Sequence, residues 1–178
     1  MDPVSLIIQE NLVEALLASG QIEDAIRQFA SLRELDPDWG RDLLGAAYLA
    51  RGEYAAAAQA YRESGNAVGE MHAYARAGDS RKARELYVER ERRLATAGRR
   101  GRAFLNASAA LAVGDTSLAM ALLTDAAKDE DPLLTDIVLR YEPWRGMWHD
   151  ARFRQVMTRL GFSLAGDLIV PTSGGDVK

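Results

Sequence analysis

The chain has no cysteine among its 178 residues, only two histidines, five prolines, and aromatic residues at just 7%. Without thiols there is no disulfide framework, no thiolate metal site and no cysteine nucleophile. The histidines, His72 and His149, lie far apart in the sequence, so zinc-ligand spacing is missing as well. Long apolar runs are also lacking. The opening "MDPVSLIIQENLVEALL" has no basic leading region, and Gln9, Glu10, Asn11 and Glu14 interrupt its apolar residues. That pattern argues against a signal peptide and against a membrane span, so the expected location is cytoplasmic.

Catalytic signatures are equally scarce. No glycine-rich loop ends in a phosphate-binding lysine, and there is no nucleophile elbow and no dinucleotide fingerprint. "TSGGD" near the C-terminus lacks both a lysine and a following helix. Asp129-Glu130-Asp131 lacks calcium-loop spacing. These absences predict a chain that is not an enzyme and takes no metal or cofactor.

What is abundant is alanine, with thirty copies, the best helix former and one that lets helix backbones approach closely. Charge is uneven along the chain. Residues 1–79 carry six basic and thirteen acidic side chains, residues 80–128 ten and five, and residues 129–178 six and eight, for a net charge of −4. Nineteen of the 22 basic residues are arginine, which with so much alanine fits the codon bias of a GC-rich bacterial genome.

The alanines fall into a repeat. "GQIEDAIRQF", "GEYAAAAQAY", "GDSRKARELY" and "GDTSLAMALL" share a glycine, an alanine five residues later, and an aromatic or leucine four beyond that. The anchors are Gly20/Ala25/Phe29, Gly52/Ala57/Tyr61, Gly78/Ala83/Tyr87 and Gly114/Ala119/Leu123. Glycine suits the left-handed residue that ends a helix. A small side chain five residues on lets the next helix cross closely, and a large one a turn later fills the wedge that opens. The spacing predicts helices near 4–18, 22–34, 40–51, 54–64, 67–77, 80–96, 102–113 and 116–128, with Asp79 and Asp115 as N-caps.

This skeleton resembles the tetratricopeptide repeat (TPR). Leu44, Gly45, Tyr48, Ala57 and Tyr61 carry the fullest match, followed by Leu12, Leu16, Ala25, Phe29 and Pro37, then Tyr74, Ala83 and Tyr87, then Ala119 and Ala126. The match is degenerate: Arg41 stands where the family has tryptophan, and the glycines are 32, 26 and 36 residues apart. The resemblance implies an all-α fold, a right-handed α-solenoid of antiparallel helix pairs with about ten helices. Residues 1–131 would form about four units, 132–162 capping helices, and 163–178 an extended or disordered tail.

The segment "EPWRGMWHDARFRQVMTRLGF" is similar to one that closes TPR arrays in bacterial multidomain proteins. Asp150 would cap a short helix whose Phe153, Val156, Met157 and Leu160 form an apolar stripe. With Trp144, Met147 and Trp148 that helix would cover the last face of the solenoid; a ligand site at Trp144/Trp148 is the alternative. "LLTDIVLRY" after Pro132 reads as a further helical segment, and Asp2-Pro3 resembles the Asp36-Pro37 that finishes a unit.

In the resembling family the first helix of each pair lines a concave groove that holds a peptide or a partner's helix. Projected onto this chain, the groove presents Glu10, Glu14 and Leu17, then Trp39, Asp42 and Leu49, then His72 and Arg76, and lastly Phe104 and Ser108. Some members grip a chaperone's C-terminal carboxylate through basic residues. The matching places here hold Glu10, Glu14, Leu43, Gly65 and Gly69, and two glutamates repel a carboxylate, so a basic or mixed peptide suits the acidic end.

The arginine-rich run "SRKARELYVERERRLATAGRRGR" could neutralise phosphates. Yet Glu85, Glu89 and Arg93 share one helix face at i, i+4 spacing, and Tyr87 already belongs to the repeat core. The expectation is therefore a non-catalytic protein-interaction scaffold with a protein or peptide partner, not nucleic acid and not a membrane. The alternative implied by the closing motif is the regulatory segment of a larger bacterial protein, such as a transcription regulator or nucleotide cyclase. The oligomeric state stays open, homodimerisation through exposed groove or convex surfaces being a further reading.

Overall fold

A computed structural model describes residues 3–37, 39–99, 101–135, 137, 142–165 and 168–172. The fold is all-α. Eight helices follow one another: α1 (Pro3–Ala18), α2 (Ile22–Leu35), α3 (Arg41–Arg51), α4 (Tyr54–Glu63), α5 (Ala67–Arg76), α6 (Ser80–Thr96), α7 (Ala103–Ala112) and α8 (Thr116–Lys128). Then come a 3-10 turn (Pro132–Thr135), a 3-10 helix (Glu142–His149), helix α9 (Ala151–Arg159) and a hairpin of β1 (Phe162–Ala165) and β2 (Leu168–Pro171). No helix among the described residues is long and apolar enough to cross a membrane.

Neighbouring helices pack consecutively, as a solenoid-like array requires. The first helices of the pairs also stack in sequence, α1 on α3, α3 on α5 and α5 on α7.

The repeat anchors do what their sizes dictate. Gly20, Gly52, Gly78 and Gly114 all have positive φ, between 75° and 85°, a region that costs any other residue energy. Ala25, Ala57, Ala83 and Ala119 are each fully buried. Phe29, Tyr61 and Leu123 are buried one turn later, while Tyr87 is half-buried. Asp79 and Asp115 accept hydrogen bonds from the backbone N–H of Lys82 and Leu118 at 2.9 and 3.0 Å, satisfying donors that the first helical turn leaves unpaired.

Tyr61 shows why the second unit matches so fully. A Cβ placed on Gly45 of α3 would lie 2.7 Å from the Tyr61 ring, and one on Gly69 of α5 only 2.4 Å. The ring from α4 is thus held between two helices that can approach it only because both lack a side chain there.

After α8 the array changes character. Helix α9, capped by Asp150 through the Arg152 N–H at 2.8 Å, packs on α8 with Phe153, Val156 and Met157 buried. In the tail, β1 and β2 are extended and pair antiparallel, Phe162 with Pro171 through Ala165 with Leu168; residues 173–178 lie outside the described residues. The "LLTDIVLRY" reading falls largely outside the described residues; Pro132–Thr135 at its start is a 3-10 turn, not an α-helix.

Candidate partner-binding face

The repeat register aligns four positions on the stacked first helices. Glu10, Asp42, Val68 and Phe104 occupy one row, and Glu14, Ala46, His72 and Ser108 the next. These rows were expected to line an open groove. In its C-terminal half they do not.

Phe104, His72 and Ser108 are buried, at 4%, 5% and 7% exposure. His72 Nε2 and Ser108 Oγ hydrogen-bond at 2.9 Å, joining α5 to α7. Burial pushes the His72 imidazole down to about 4, against the contrary pull of the Ser108 hydrogen bond and with the positive charge of Arg76 adding to the push. A neutral, buried imidazole paired with a hydroxyl is a structural cross-tie.

The chain itself covers this half. The 3-10 helix Glu142–His149 packs on both α7 and α3. Trp144 is its anchor, 1% exposed and stacked between Phe104 of α7 (centroids 6.1 Å apart) and Phe153 of α9 (5.9 Å). Trp148 meets the same Phe153 edge-on at 5.6 Å. Both faces of the Trp144 ring are therefore occupied, which leaves no open aromatic platform there.

The N-terminal half differs. Glu10, Glu14, Leu17, Trp39 and Asp42 are all partly exposed. Trp39 Nε1 donates to Glu10 Oε2 at 2.8 Å, tying the loop before α3 to α1 and holding the indole on the acidic row. Leu17 and Trp39 rest against the cluster of Leu6, Val13, Phe29 and Leu43. Asp42 borders a cleft of about 410 Å³ that Arg41 and the Glu63–Asn66 turn complete.

Of the other two candidates one is buried and one is exposed. Leu49 is 1% exposed and belongs to the core with Ala57, Tyr61 and Ala73, so it is corrected to a packing residue. Arg76 is exposed, with its guanidinium 5.8 Å from the Tyr54 ring centre, a cation–π arrangement on α4. The structure thus ties Trp39 to Glu10, sets Leu17 and Trp39 against one cluster, leaves Glu14 and Asp42 partly exposed, and buries His72, Ser108 and Phe104.

The arginine-rich run forms α6 and the turn after it. Arg81 pairs with Glu85, and Arg92 and Arg93 both pair with Glu89, the contact lying at 2.7–2.8 Å in each case. Arg90 is divided between Glu91 and Asn106 of α7. Hydrogen bonds from Arg92 and Arg93 hold the Glu89 carboxyl down to about 2. These are the pairs that i, i+3 and i, i+4 spacing predicts, in a run that stays net basic.

Sequence reasoning missed the role of Glu142–His149. Its aromatic residues signalled burial, but nothing in their spacing shows that the segment reaches back to α3. It also missed the Arg62–Glu70 pair, in which a buried Glu70 carboxylate on α5 accepts from an exposed Arg62 on α4 at 2.7 Å. Comparison with protein families, with curated proteins and with solved structures yields no match for this chain.

Proposed function

We propose that this chain is a non-catalytic scaffold of TPR-like repeats that holds an extended partner segment on the N-terminal half of its stacked first helices. The contact residues are Glu10, Glu14, Leu17, Trp39 and Asp42. One observation carries the reading: the chain's own Glu142–His149 segment packs on α7 and α3, with Trp144 against Phe104 of the projected row. A surface that takes a sequence-distant segment in one half is built to take one in the other.

The chemistry of the open half selects the partner class. Leu17 and the Trp39 indole offer apolar contact, flanked by the carboxylates of Glu10, Glu14 and Asp42. A peptide with one or two apolar anchors and neighbouring lysine or arginine fits; an acidic tail does not. The setting is a bacterial cytoplasmic protein.

Selection of random displayed peptides on the full chain tests this. The enriched sequences should be basic with apolar anchors, and their affinity should fall about tenfold with Glu14→Lys or Asp42→Lys. Peptides that ignore both reversals, or no enrichment at all, would remove the assignment.

A further inference from the structure

The third helix pair departs from the others at two register positions, one turn apart on α6, and both departures open onto one cleft. The wedge residue after each anchoring alanine is buried as Phe29, Tyr61 and Leu123, but Tyr87 is only half-buried. The position six residues after the turn glycine holds Ile26, Ala58 and Met120, apolar residues that are buried or half-buried. In α6 that position is Arg84, and it is exposed. Val88 beside them is 60% exposed. Arg84, Tyr87 and Val88 line a cleft of about 430 Å³ together with Val113, Gly114 and Asp115 of the α7–α8 turn. The cleft thus lies between the third and fourth pairs, inside the array.

We infer that this cleft docks an acidic segment of a partner protein. An aliphatic side chain of that segment rests on Val88 and Val113, and a neighbouring carboxylate meets Arg84.

Charge selects the occupant. Among the described residues Arg84 makes no hydrogen bond or ion pair, and the Tyr87 hydroxyl makes no hydrogen bond, so two donors line the cleft unengaged. The rest of α6 has a surplus of the same sign. Glu85 is shared by Arg81 and Lys82, and Glu89 by Arg92 and Arg93. Asp115 is the one carboxylate lining the cleft, and it is engaged as the cap of α8. Its Oδ1 accepts from the Leu118 N–H at 3.0 Å, where the helix dipole offsets its charge. An acidic segment therefore meets a net positive surface, and a basic one like that proposed for the inner face is repelled.

The apolar part selects a protein over a nucleic acid. Val88 and Val113 offer nothing to a phosphate, and Tyr87, packed against the cluster of Met71, Ala109 and Ala112, presents no free ring for a base to stack on. One aliphatic anchor and an exposed ion pair make the contact weak and sensitive to salt.

An array of immobilised peptides tests this. Each peptide carries a leucine, isoleucine or valine flanked by aspartate or glutamate, beside a copy in which lysine replaces every acid. The full chain should be retained by acidic peptides and not by their lysine copies. In fluorescence anisotropy with the strongest acidic peptide, Arg84→Glu should weaken binding about tenfold, and Val88→Asp, which brings a charge into the apolar contact, should do the same. Both residues are exposed, so the variants keep the fold, which circular dichroism verifies. Glu14→Lys, on the inner face, should leave this affinity unchanged, which separates the cleft from the inner-face site. Retention by no acidic peptide, equal retention by the lysine copies, or indifference to either cleft substitution overturns the inference. So does loss of binding in Glu14→Lys, or a short DNA duplex that binds more tightly than every peptide and loses that affinity with Arg84→Glu.

Discussion

The two halves of this array are built from the same repeat but end differently. From α5 onward the inner face is closed: Trp144 fills it, Phe104 and Phe153 flank it, and His72 and Ser108 are tied beneath it. Around α1 and the start of α3 Glu10, Glu14 and Asp42 stay partly exposed beside one half-exposed indole, although Ala46 is buried. The difference teaches that a solenoid face is not a binding surface by default. A few residues of the same chain, arriving from outside the repeat, decide which part remains available.

The sharpest way to break the comparison is to remove its anchor. Trp144→Ala deletes a fully buried ring between two aromatics, leaving a cavity that packed helices cannot close. It should cost about 3–5 kcal/mol in denaturant unfolding. Trp39→Ala removes the corresponding indole of the open half, which is partly exposed and holds one hydrogen bond, and should cost about 1–2 kcal/mol. Similar losses at the two positions would mean that the halves are closed alike.

A pH titration sharpens the same contrast from inside the closed half. His72 titrates near 4 when folded and near 6.5 when unfolded. The unfolded chain therefore binds the extra proton between these values, and stability must fall as pH drops from about 6.5 toward 4, then level off. The loss across the window is on the order of 3 kcal/mol. His72→Gln, which can still bond Ser108, should abolish that part of the slope. If the slope persists in the variant, the imidazole is not the group responsible and is more hydrated than its burial implies.

Much of this was legible in the sequence because local sterics wrote it there. The glycine–alanine–aromatic spacing located the turn and the close crossing within each of the four helix pairs of α1 to α8, since each anchor acts within a few residues of its neighbours. Asp79, Asp115 and Asp150 marked their helix starts for the same reason. What escaped was non-local. The seating of Glu142–His149 on α3 spans about a hundred residues, so no spacing rule encodes it; nor does one encode the His72–Ser108 bond between α5 and α7 or the stacking of Phe104 on Trp144. The β1–β2 hairpin did leave a signal: the short segment "FSLA" and the apolar run "LIVP" are separated only by Gly166-Asp167, a two-residue turn composition. Its short strands were overshadowed by the helical pattern before them.

The smallest predicted effect tests the joint between the halves. Tyr61 stands there, on α4, with Gly45 of α3 on one side and Gly69 of α5 on the other, and its ring excludes a methyl group from both. Gly69→Ala favours the helix by its propensity, about 1 kcal/mol over glycine. It also forces the ring to move against α3, an overpacking penalty of about 1–3 kcal/mol. Sterics should win, because a Cβ at 2.4 Å from a ring carbon cannot be accommodated by a small shift while Gly45 confines the other side. The net expectation is a loss of up to about 2 kcal/mol in urea unfolding. If that reasoning holds, shrinking the ring changes the sign: with Tyr61→Leu in place, adding Gly69→Ala should be neutral or stabilising, a coupling of 0.5–3 kcal/mol that contacting residues typically show. Additive costs in the double variant would place the ring away from Gly69, and the two halves would then be joined by backbone packing alone.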